Sequence, residues 1–318
     1  MKIGAVRVNS AVAMAPMEEH TNYPLRVLAK QFGAGLVCSE RVDAADVAAR
    51  DRRALRLLYT QPDESPRAGQ ISGADPAVMA EAARVVEQQG FNIVDLNFEC
   101  PIRRIAGRGE GGALMADPAA IGTIVAAVVR AVSIPVTIKI RTGPDADRET
   151  APEVVCRAQE AGAAAVEIHA RSVAQAYVGG PDWGAIGRAK QVAQVPVLGS
   201  GGIRLAADAV EMLRQTGADG AAIGRGCLGN PWIFRQAKAL LAGGVAVSPP
   251  AVGERGRVLL QLVEAEFHLY GATVALRRLA RIACYFAKFL ADQAPFREGL
   301  QRVRNFHQFR DLVRTHFR

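Results

Sequence analysis

Paired cysteines and long apolar runs are both missing from this 318-residue sequence. Its five cysteines, at positions 38, 100, 156, 227 and 284, are widely spaced and form no CxxC pair, which argues against a disulfide framework and a zinc site. The five histidines show no metal-ligand spacing. No apolar run approaches the length that crosses a bilayer, and the first residues lack the apolar core of a signal peptide. We therefore expect a cytoplasmic protein with no metal and no membrane partner.

Positive charge is what the sequence has in excess. The formal net charge is +8, and half of the residues are hydrophobic, as in a folded protein. Over residues 251–318, 12 Arg and Lys stand against 6 Asp and Glu, a net of +6, so most of the excess lies in the last fifth of the chain. A basic surface is a weak indication of a nucleic-acid partner, and a solvated helical face is the alternative.

One pattern repeats between residues 12 and 235: a short apolar run ends in polar or glycine residues, and an amphipathic helix follows. The eight runs are VAMAPM (12–17), AGLVCSE (34–40), RAGQISG (67–73), IVDLNFE (93–99), VTIKIRTG (136–143), AVEIHA (165–170), VPVLGSG (195–201) and GAAIGR (220–225). Asp75 is a plausible N-cap for one intervening helix, and Gly90, Gly162 and Gly217 are expected to end helices. Eight such repeats predict an α/β fold, a (β/α)8 TIM barrel, with a doubly wound sheet as the alternative.

The composition changes after residue 241. Gly243-Gly244 and Ser248-Pro249-Pro250 predict a linker, and the sequence beyond it is typical of three or four packed helices. We therefore predict a barrel domain over residues 1–242, a linker over 243–250 and a small all-helical domain over 251–318.

Residues that could carry chemistry cluster at the predicted carboxyl ends of the strands, where barrel active sites lie. Glycine-rich turns follow strands seven and eight, at residues 199–202 and 224–226, and such turns let backbone N–H groups approach a phosphate. Arg225 could bind the same phosphate, although glycines also serve simply to permit tight turns. Lys139 is expected to point inward, where its positive charge would suit a flavin, whose ring becomes anionic when it is reduced. The alternative is a lysine that forms a Schiff base, as in an aldolase.

The most unusual stretch of the chain is residues 93–114, in which a buried strand breaks at Glu99-Cys100-Pro101 into a basic, glycine-rich loop. A thiol with an ordinary pKa of about 8.5 is mostly protonated at neutral pH and can give up a proton. Glu99 would favour the neutral thiol, whereas the arginines that follow would favour thiolate. The other four cysteines are interpreted as small buried hydrophobic residues.

Together these segments resemble the flavin-dependent tRNA-dihydrouridine synthases, most closely the bacterial B-type branch. The resemblance covers nearly the whole chain and depends on an ordered set of motifs: APM (15–17), DLNFECPIRRIAGRGEGGAL, VTIKIRTG, IHARSVAQAYVGGPDW (168–183), PVLGSGGI and DGAAIGRGCLGNPWIF. It implies flavin-ring contacts at Pro16, Met17, Gln70, Lys139 and His169, and an FMN phosphate site at Ser200, Gly201, Gly202, Gly224 and Arg225. It also implies a uracil pocket lined by Asn97, Arg141 and Arg171, with Tyr177 on a nearby loop.

The implied reaction has two halves, in which NADPH reduces FMN and the reduced flavin then gives hydride to C6 of a tRNA uridine while Cys100 protonates C5. The target base must be swung out of the folded RNA to reach the barrel mouth, and the basic helical domain would grip RNA phosphates. A monomer is expected. A flavin enzyme of the same fold that acts on a small molecule, and an RNA-binding relative without turnover, are the alternatives.

The sequence also departs from the family pattern at four places. Glu99 replaces the usual glycine before the cysteine, and Ser200-Gly201-Gly202 replaces the usual Asn-Gly-Asp. Glu18-Glu19 follow Met17 in place of small residues, and Ile282-Ala283 replace a Lys-His pair. The flavin-binding parts survive these changes, whereas the parts expected to contact RNA are more altered.

Overall fold

Eight parallel strands close into a barrel in the computed structural model, which describes residues 1–245 and 247–318. They are β1 (Val12–Met14), β2 (Leu36–Cys38), β3 (Arg67–Ser72), β4 (Ile93–Asn97), β5 (Val136–Arg141), β6 (Ala165–His169), β7 (Val197–Ser200) and β8 (Gly220–Ile223). Each strand pairs with the next along the chain, and β8 pairs with β1 to close the ring. The predicted (β/α)8 barrel is thus confirmed, and the carboxyl ends of all eight strands meet at one rim.

Three short strands add to the predicted set. Lys2–Ile3 and Val6–Arg7 form an antiparallel hairpin ahead of β1. Val42–Asp43 pairs with β3 beside the end of β2. In this pairing Val42 lies opposite Ile71. These strands contain two residues each. The pattern of apolar residues does not predict them, because it identifies a strand only over a longer run.

Thirteen helices accompany the strands in the described residues. They are α1 (Tyr23–Gln31), α2 (Ala44–Ala48), α3 (Arg52–Leu57), α4 (Pro76–Gln88), α5 (Arg103–Ala106), α6 (Pro118–Ala131), α7 (Ala151–Glu160), α8 (Trp183–Val192), α9 (Ala206–Thr216), α10 (Trp232–Leu241), α11 (Val252–Ala287), α12 (Ala294–Arg302) and α13 (Phe306–His316), with 3-10 turns at Pro62–Glu64, Gly111–Ala116 and Arg225–Cys227. Asp75 caps α4 as predicted, since its side chain accepts the N–H groups of Ala77 and Val78. Gly217 ends α9 with φ of +67° and donates its N–H to Leu213.

The C-terminal region is helical, as predicted. Helix α11 is interrupted at Gly271, where φ is +75°, so α11 to α13 supply four helical segments. Phe286 on α11, Phe296 on α12 and Phe309 on α13 are buried in the shared core. The predicted linker over 243–250 includes residue 246, which lies outside the described residues, and the division into domains stays a prediction. No helix in the described part of the chain is long and apolar enough to cross a bilayer.

The helical region meets the barrel at a contact that we call the seam: His20 and Asn22 from the loop after β1, and Glu266, Arg278 and Tyr285 from α11. The Asn22 amide donates to the Glu266 carboxylate, and Arg278 Nε lies 3.3 Å from Glu266 Oε2. The His20 ring packs edge-on against Tyr285 with centroids 5.5 Å apart. The seam therefore fixes α11 beside the rim at which the strands end.

Candidate active site

The end of β4 is shaped by Asn97. Its side-chain oxygen accepts the N–H of Cys100 at 3.0 Å and that of Glu99 at 3.3 Å, a local turn that short amide side chains form readily. Its amide nitrogen donates to Gln70 on β3 at 3.0 Å. Asn97 therefore fixes the directions in which Glu99 and Cys100 leave the strand.

Cys100 is 7% exposed and lies against the glycine loop that follows it. The N–H of Gly112 donates to the Cys100 carbonyl at 3.0 Å, and a Cβ at Gly112 would lie 3.0 Å from the same oxygen. Burial raises the pKa of the thiol, which outweighs the positive charge of Arg41. The thiol is therefore neutral at pH 7, which answers the question that the sequence left open.

The arginines of the loop do not turn toward the thiol. Arg103 and Arg104 lie exposed on α5. Arg108 is held away by Asp43 at 2.5 Å and Glu110 at 2.7 Å. The charge of Arg103 and Arg104 is thus available to solvent or to a partner, whereas that of Arg108 is paired with carboxylates.

Four ionisable side chains meet inside the rim, and we call Glu99, Lys139, Glu167 and His169 the mouth cluster. The Lys139 ammonium donates to Glu167 and lies 3.5 Å from Glu99 Oε1, while His169 Nδ1 lies 3.2 Å from Glu99 Oε2. The sheet register brings Lys139 beside Glu167, because the two residues pair directly. Asn97 pairs with Lys139 on its other side and holds the turn from which Glu99 joins the cluster.

Burial and pairing have opposite effects on these groups. Burial would raise the pKa of Glu99, but Lys139 and His169 lower it to about 2, so the carboxylate stays charged. Burial raises the pKa of Glu167 to about 7 despite Lys139. Burial opposes charge on Lys139, yet Glu167 and Glu99 raise the lysine pKa, so the ammonium stays protonated. Burial lowers the pKa of His169, which is therefore neutral at pH 7.

A second layer of hydrogen bonds lies deeper in the barrel, around Asp95. Its carboxyl accepts from Thr137 at 2.6 Å and from the Gln70 amide at 2.7 Å. Burial raises the pKa of Asp95, and these two bonds oppose that effect. Gln70 therefore links Asp95 to Asn97 and is held firmly from both sides.

Two arginines hold the loop after β6 by its main chain. Arg141 donates to the carbonyls of Ser172 at 2.9 Å and Ala176 at 2.6 Å, and Arg171 donates to Gly179 at 2.8 Å. Arg141 also binds the carbonyl of Glu99 at 2.8 Å. Its Nη2 atom is buried without a hydrogen-bond partner. That nitrogen is therefore a donor that the chain leaves unused.

Tyr177 projects from this loop and is 52% exposed. The guanidinium carbons of Arg141 and Arg225 each lie 5.3 Å from its ring centroid, within cation–π range. Arg225 belongs to the turn after β8, so the stacked ring spans the mouth from the β5 side to the β8 side.

The two glycine turns lie side by side after β7 and β8. Gly201 has φ of +100° and Gly202 of +81°, and a Cβ at Gly201 would come within 2.8 Å of His169. In the described residues, no hydrogen bond uses the N–H groups of Gly201, Gly202, Gly224 or Arg225. A Cβ at Gly224 would meet only Met17, at 3.9 Å. The turns thus present backbone donors that an anion can approach.

Most of the predicted site residues meet at this mouth. Gln70 and Asn97 share one hydrogen bond, Lys139 and His169 share Glu99, and Arg141 and Arg225 share Tyr177. Pro16 and Met17 lie after β1, with Met17 facing Gly224, and Ser200 ends β7. The roles assigned to these residues stay predictions.

The alternation of polar residues along the strands predicts that Asp95 and Glu167 point inward, and both side chains do make interior contacts, with Gln70 and Lys139 respectively, although the sequence assigns neither a role. Each acid lies two residues before a predicted site residue, Asp95 before Asn97 and Glu167 before His169, so each pair shares one face of its strand. The carbonyls that Arg141 and Arg171 bind leave no such signal, because every residue has one.

Comparisons with known proteins identify the family of this chain. A family model described as "Dihydrouridine synthase (Dus)" matches residues 13–317. The chain belongs to the dihydrouridine synthase family. It is 35% identical to tRNA-dihydrouridine synthase B of Xanthomonas axonopodis pv. citri (strain 306), over 100% of this chain and 96% of that protein. It is 38% identical to a probable tRNA-dihydrouridine synthase of Mycobacterium tuberculosis (strain ATCC 25618 / H37Rv), over 98% of this chain and 84% of that protein.

Solved structures share the fold of this family member at low identity. A 2-naphthoyl-CoA reductase complex has a TM-score of 0.59 at 14% identity, and covers 77% of this chain and 52% of its own, so the chain spans about half of that structure. A morphinone reductase variant in complex with tetrahydroNAD has a TM-score of 0.54 at 14% identity, with coverage of 79% and 91%. These two structures therefore share the fold of this chain.

Proposed function

We propose that this enzyme reduces specific uridines of tRNA to 5,6-dihydrouridine with FMN as its cofactor and NADPH as the reductant. The observation that carries the proposal is Cys100, a buried neutral thiol one residue from a carboxylate that bridges Lys139 and His169. The names of the relatives above supply the substrate class.

The residues at the mouth fit FMN. The free N–H groups of Gly201, Gly202, Gly224 and Arg225 would hold the phosphate, together with the Arg225 side chain. Lys139 and His169 would contact the ring, with Gln70, Pro16 and Met17 beside it. When bound, reduced FMN supplies the hydride that adds to C6 of the uracil.

The chain's own groups would then complete the reduction. The unpartnered Arg141 Nη2 would donate to a carbonyl oxygen of the uracil, with Asn97 and Arg171 lining the pocket and Tyr177 covering it. The Cys100 thiol would give its proton to C5 and become a thiolate, so that one hydride and one proton saturate the C5=C6 bond. Positioned acid catalysis of this kind is worth about 10²–10⁴-fold in rate.

RNA would be gripped by positive charge outside the barrel. Arg277, Lys288 and Arg297 are exposed in the C-terminal helical region, and Arg103 and Arg104 are exposed on α5. Such contacts to phosphates release counterions, so we expect RNA binding to weaken steeply with salt. With a tRNA substrate we also expect a cytoplasmic location, and a monomer.

The test is NADPH-driven dihydrouridine formation on unmodified tRNA. Cys100→Ala is expected to keep its bound flavin and to lose about 10²–10⁴-fold in turnover, because the proton donor is gone. Cys156→Ala, a half-buried thiol on α7, is the matched control and is expected to match wild type. Equal product from Cys100→Ala and wild type would remove Cys100 from the mechanism, and a colourless purified protein would sink the flavin assignment.

A further inference from the structure

One charged group of the mouth cluster has no part in the proposed reaction. The Glu99 carboxylate is 14% exposed, with one oxygen 3.5 Å from Lys139 and the other 3.2 Å from His169. Lys139 and His169 are also the two residues proposed above to contact the flavin ring. The charge that the ring meets is therefore set by Glu99 as well as by the lysine.

The Lys139 ammonium that faces the ring is paired with two carboxyl groups. The ionisable groups that face this position are Asp95 and Glu99 from β4 and its end, Lys139 and Arg141 from β5, and Glu167 and His169 from β6. Arg141 is turned to backbone carbonyls, and His169 is neutral at pH 7. Of these cations, Lys139 is the one paired with the carboxyl groups of Glu99 and Glu167, and a glycine at position 99 would leave this wall one unit more positive.

Glu99 is held in place at both its backbone and its side chain. Its N–H donates to Asn97 at 3.3 Å, and its carbonyl accepts from Arg141 at 2.8 Å. Both carboxylate oxygens have cationic or polar neighbours. The group is therefore a fixed part of the wall, and its low pKa keeps it ionised over the physiological range.

We propose that Glu99 is a positioning residue that makes the reduced flavin a stronger reductant, by placing a fixed negative charge beside Lys139 and His169. The inference rests on the proposed flavin function and deepens it. Reduction leaves negative charge on the ring, and a nearby carboxylate destabilises that form relative to the oxidised one. The bound flavin then has a lower reduction potential, which favours transfer to a uracil over retention of the electrons.

The experiment compares wild type with Glu99→Gln and Glu99→Gly, using FMN itself as the probe. The reduction potential of bound FMN and the dissociation constants of oxidised and reduced FMN are measured. In both variants we expect reduced FMN to gain about tenfold in affinity relative to oxidised FMN, equivalent to a potential about 30 mV more positive for a two-electron couple. Glu211→Gln, which removes a carboxylate on the outer surface of α9, is expected to match wild type.

The contact between Glu99 and His169 is tested in the absence of flavin by NMR titration of His169. Because Glu99 raises the pKa of that ring, Glu99→Gln is expected to lower it. An unchanged potential in both variants, equal tightening of both redox forms of FMN, or an unchanged His169 titration overturns the inference. If neither wild type nor any variant binds FMN, the proposed function fails and the inference fails with it.

Discussion

The mouth cluster and the seam each set a buried carboxylate among polar partners, but they are held differently. At the mouth, Lys139 and Glu167 pair directly on adjacent strands, so the sheet register fixes their spacing, and Glu99 joins them from the turn that Asn97 holds after β4. At the seam, Glu266 and Arg278 come from a helix that must pack correctly before they meet. The Arg278 Nε and Glu266 Oε2 atoms lie 3.3 Å apart, yet neither makes a hydrogen bond. We therefore expect the Lys139–Glu167 pair at the mouth to be more strongly coupled than the Glu266–Arg278 pair at the seam.

Lys139→Met should break the mouth cluster with the largest effect. It leaves Glu99 and Glu167 buried without their cation, and removing one partner of a buried pair costs about 3–5 kcal/mol in the free energy of unfolding. Urea unfolding at pH 7 measures the change. The double variant Lys139→Met/Glu167→Gln should recover part of it, and a loss below about 1 kcal/mol in Lys139→Met would contradict the coupling.

Glu266→Gln should have a smaller effect at the seam. Arg278 keeps its contact with the Tyr270 ring, 5.0 Å away, and the lost pair lacks hydrogen-bond geometry. We expect a loss of about 1 kcal/mol in the free energy of unfolding. The same urea titration checks it, and a loss as large as that of Lys139→Met would erase the difference between the two regions.

Acid should weaken the seam through His20. Burial lowers the pKa of this ring from 6.5 to about 4, so the unfolded chain takes up the proton first. The stability that neutral His20 gives is present above pH 6.5 and is lost as the pH falls toward 4. Between pH 7 and pH 5 we expect wild type to lose about 1 kcal/mol more than His20→Gln, after allowance for the partly exposed ring.

Urea unfolding at both pH values measures this effect. His307→Gln replaces an exposed ring on α13 and serves as the control. It is expected to follow wild type at both pH values. A His20→Gln protein that loses as much stability as wild type on acidification would show that His20 does not couple the seam to pH.

Arg281→Ala should give the smallest effect on folding. Arg281 pairs with Glu19 at the exposed edge of the contact, and exposed ion pairs are worth about 0–1 kcal/mol. The free energy of unfolding should change by less than about 0.5 kcal/mol, as measured by urea titration. A change above about 1 kcal/mol would mean that this edge, rather than the buried part of the seam, holds the two regions together.

The eight strands were predictable because each is an apolar run followed by a helix, and the caps Asp75 and Gly217 were predictable because their chemistry is local. The inward Lys139 and His169 were predictable from alternation along their strands. The sharing of Glu99 between them was not, since it depends on how three strands are aligned. The state of the Cys100 thiol also needed burial, which the local sequence does not encode.

Arg141 and Arg171 hold the loop after β6 through its carbonyl groups, and this affects which residues of the loop can change. Ser172, Ala176 and Gly179 are gripped through atoms that every amino acid has, whereas the side chains of Tyr177 and Val178 lie 52% and 77% exposed. The path of the loop thus depends on its main chain and on the side chains of Ser172 and Gln175, which accept each other's N–H groups, rather than on exposed side chains. Substitutions at positions 177 and 178 are therefore expected to change the surface that the mouth presents with little effect on the path of the loop.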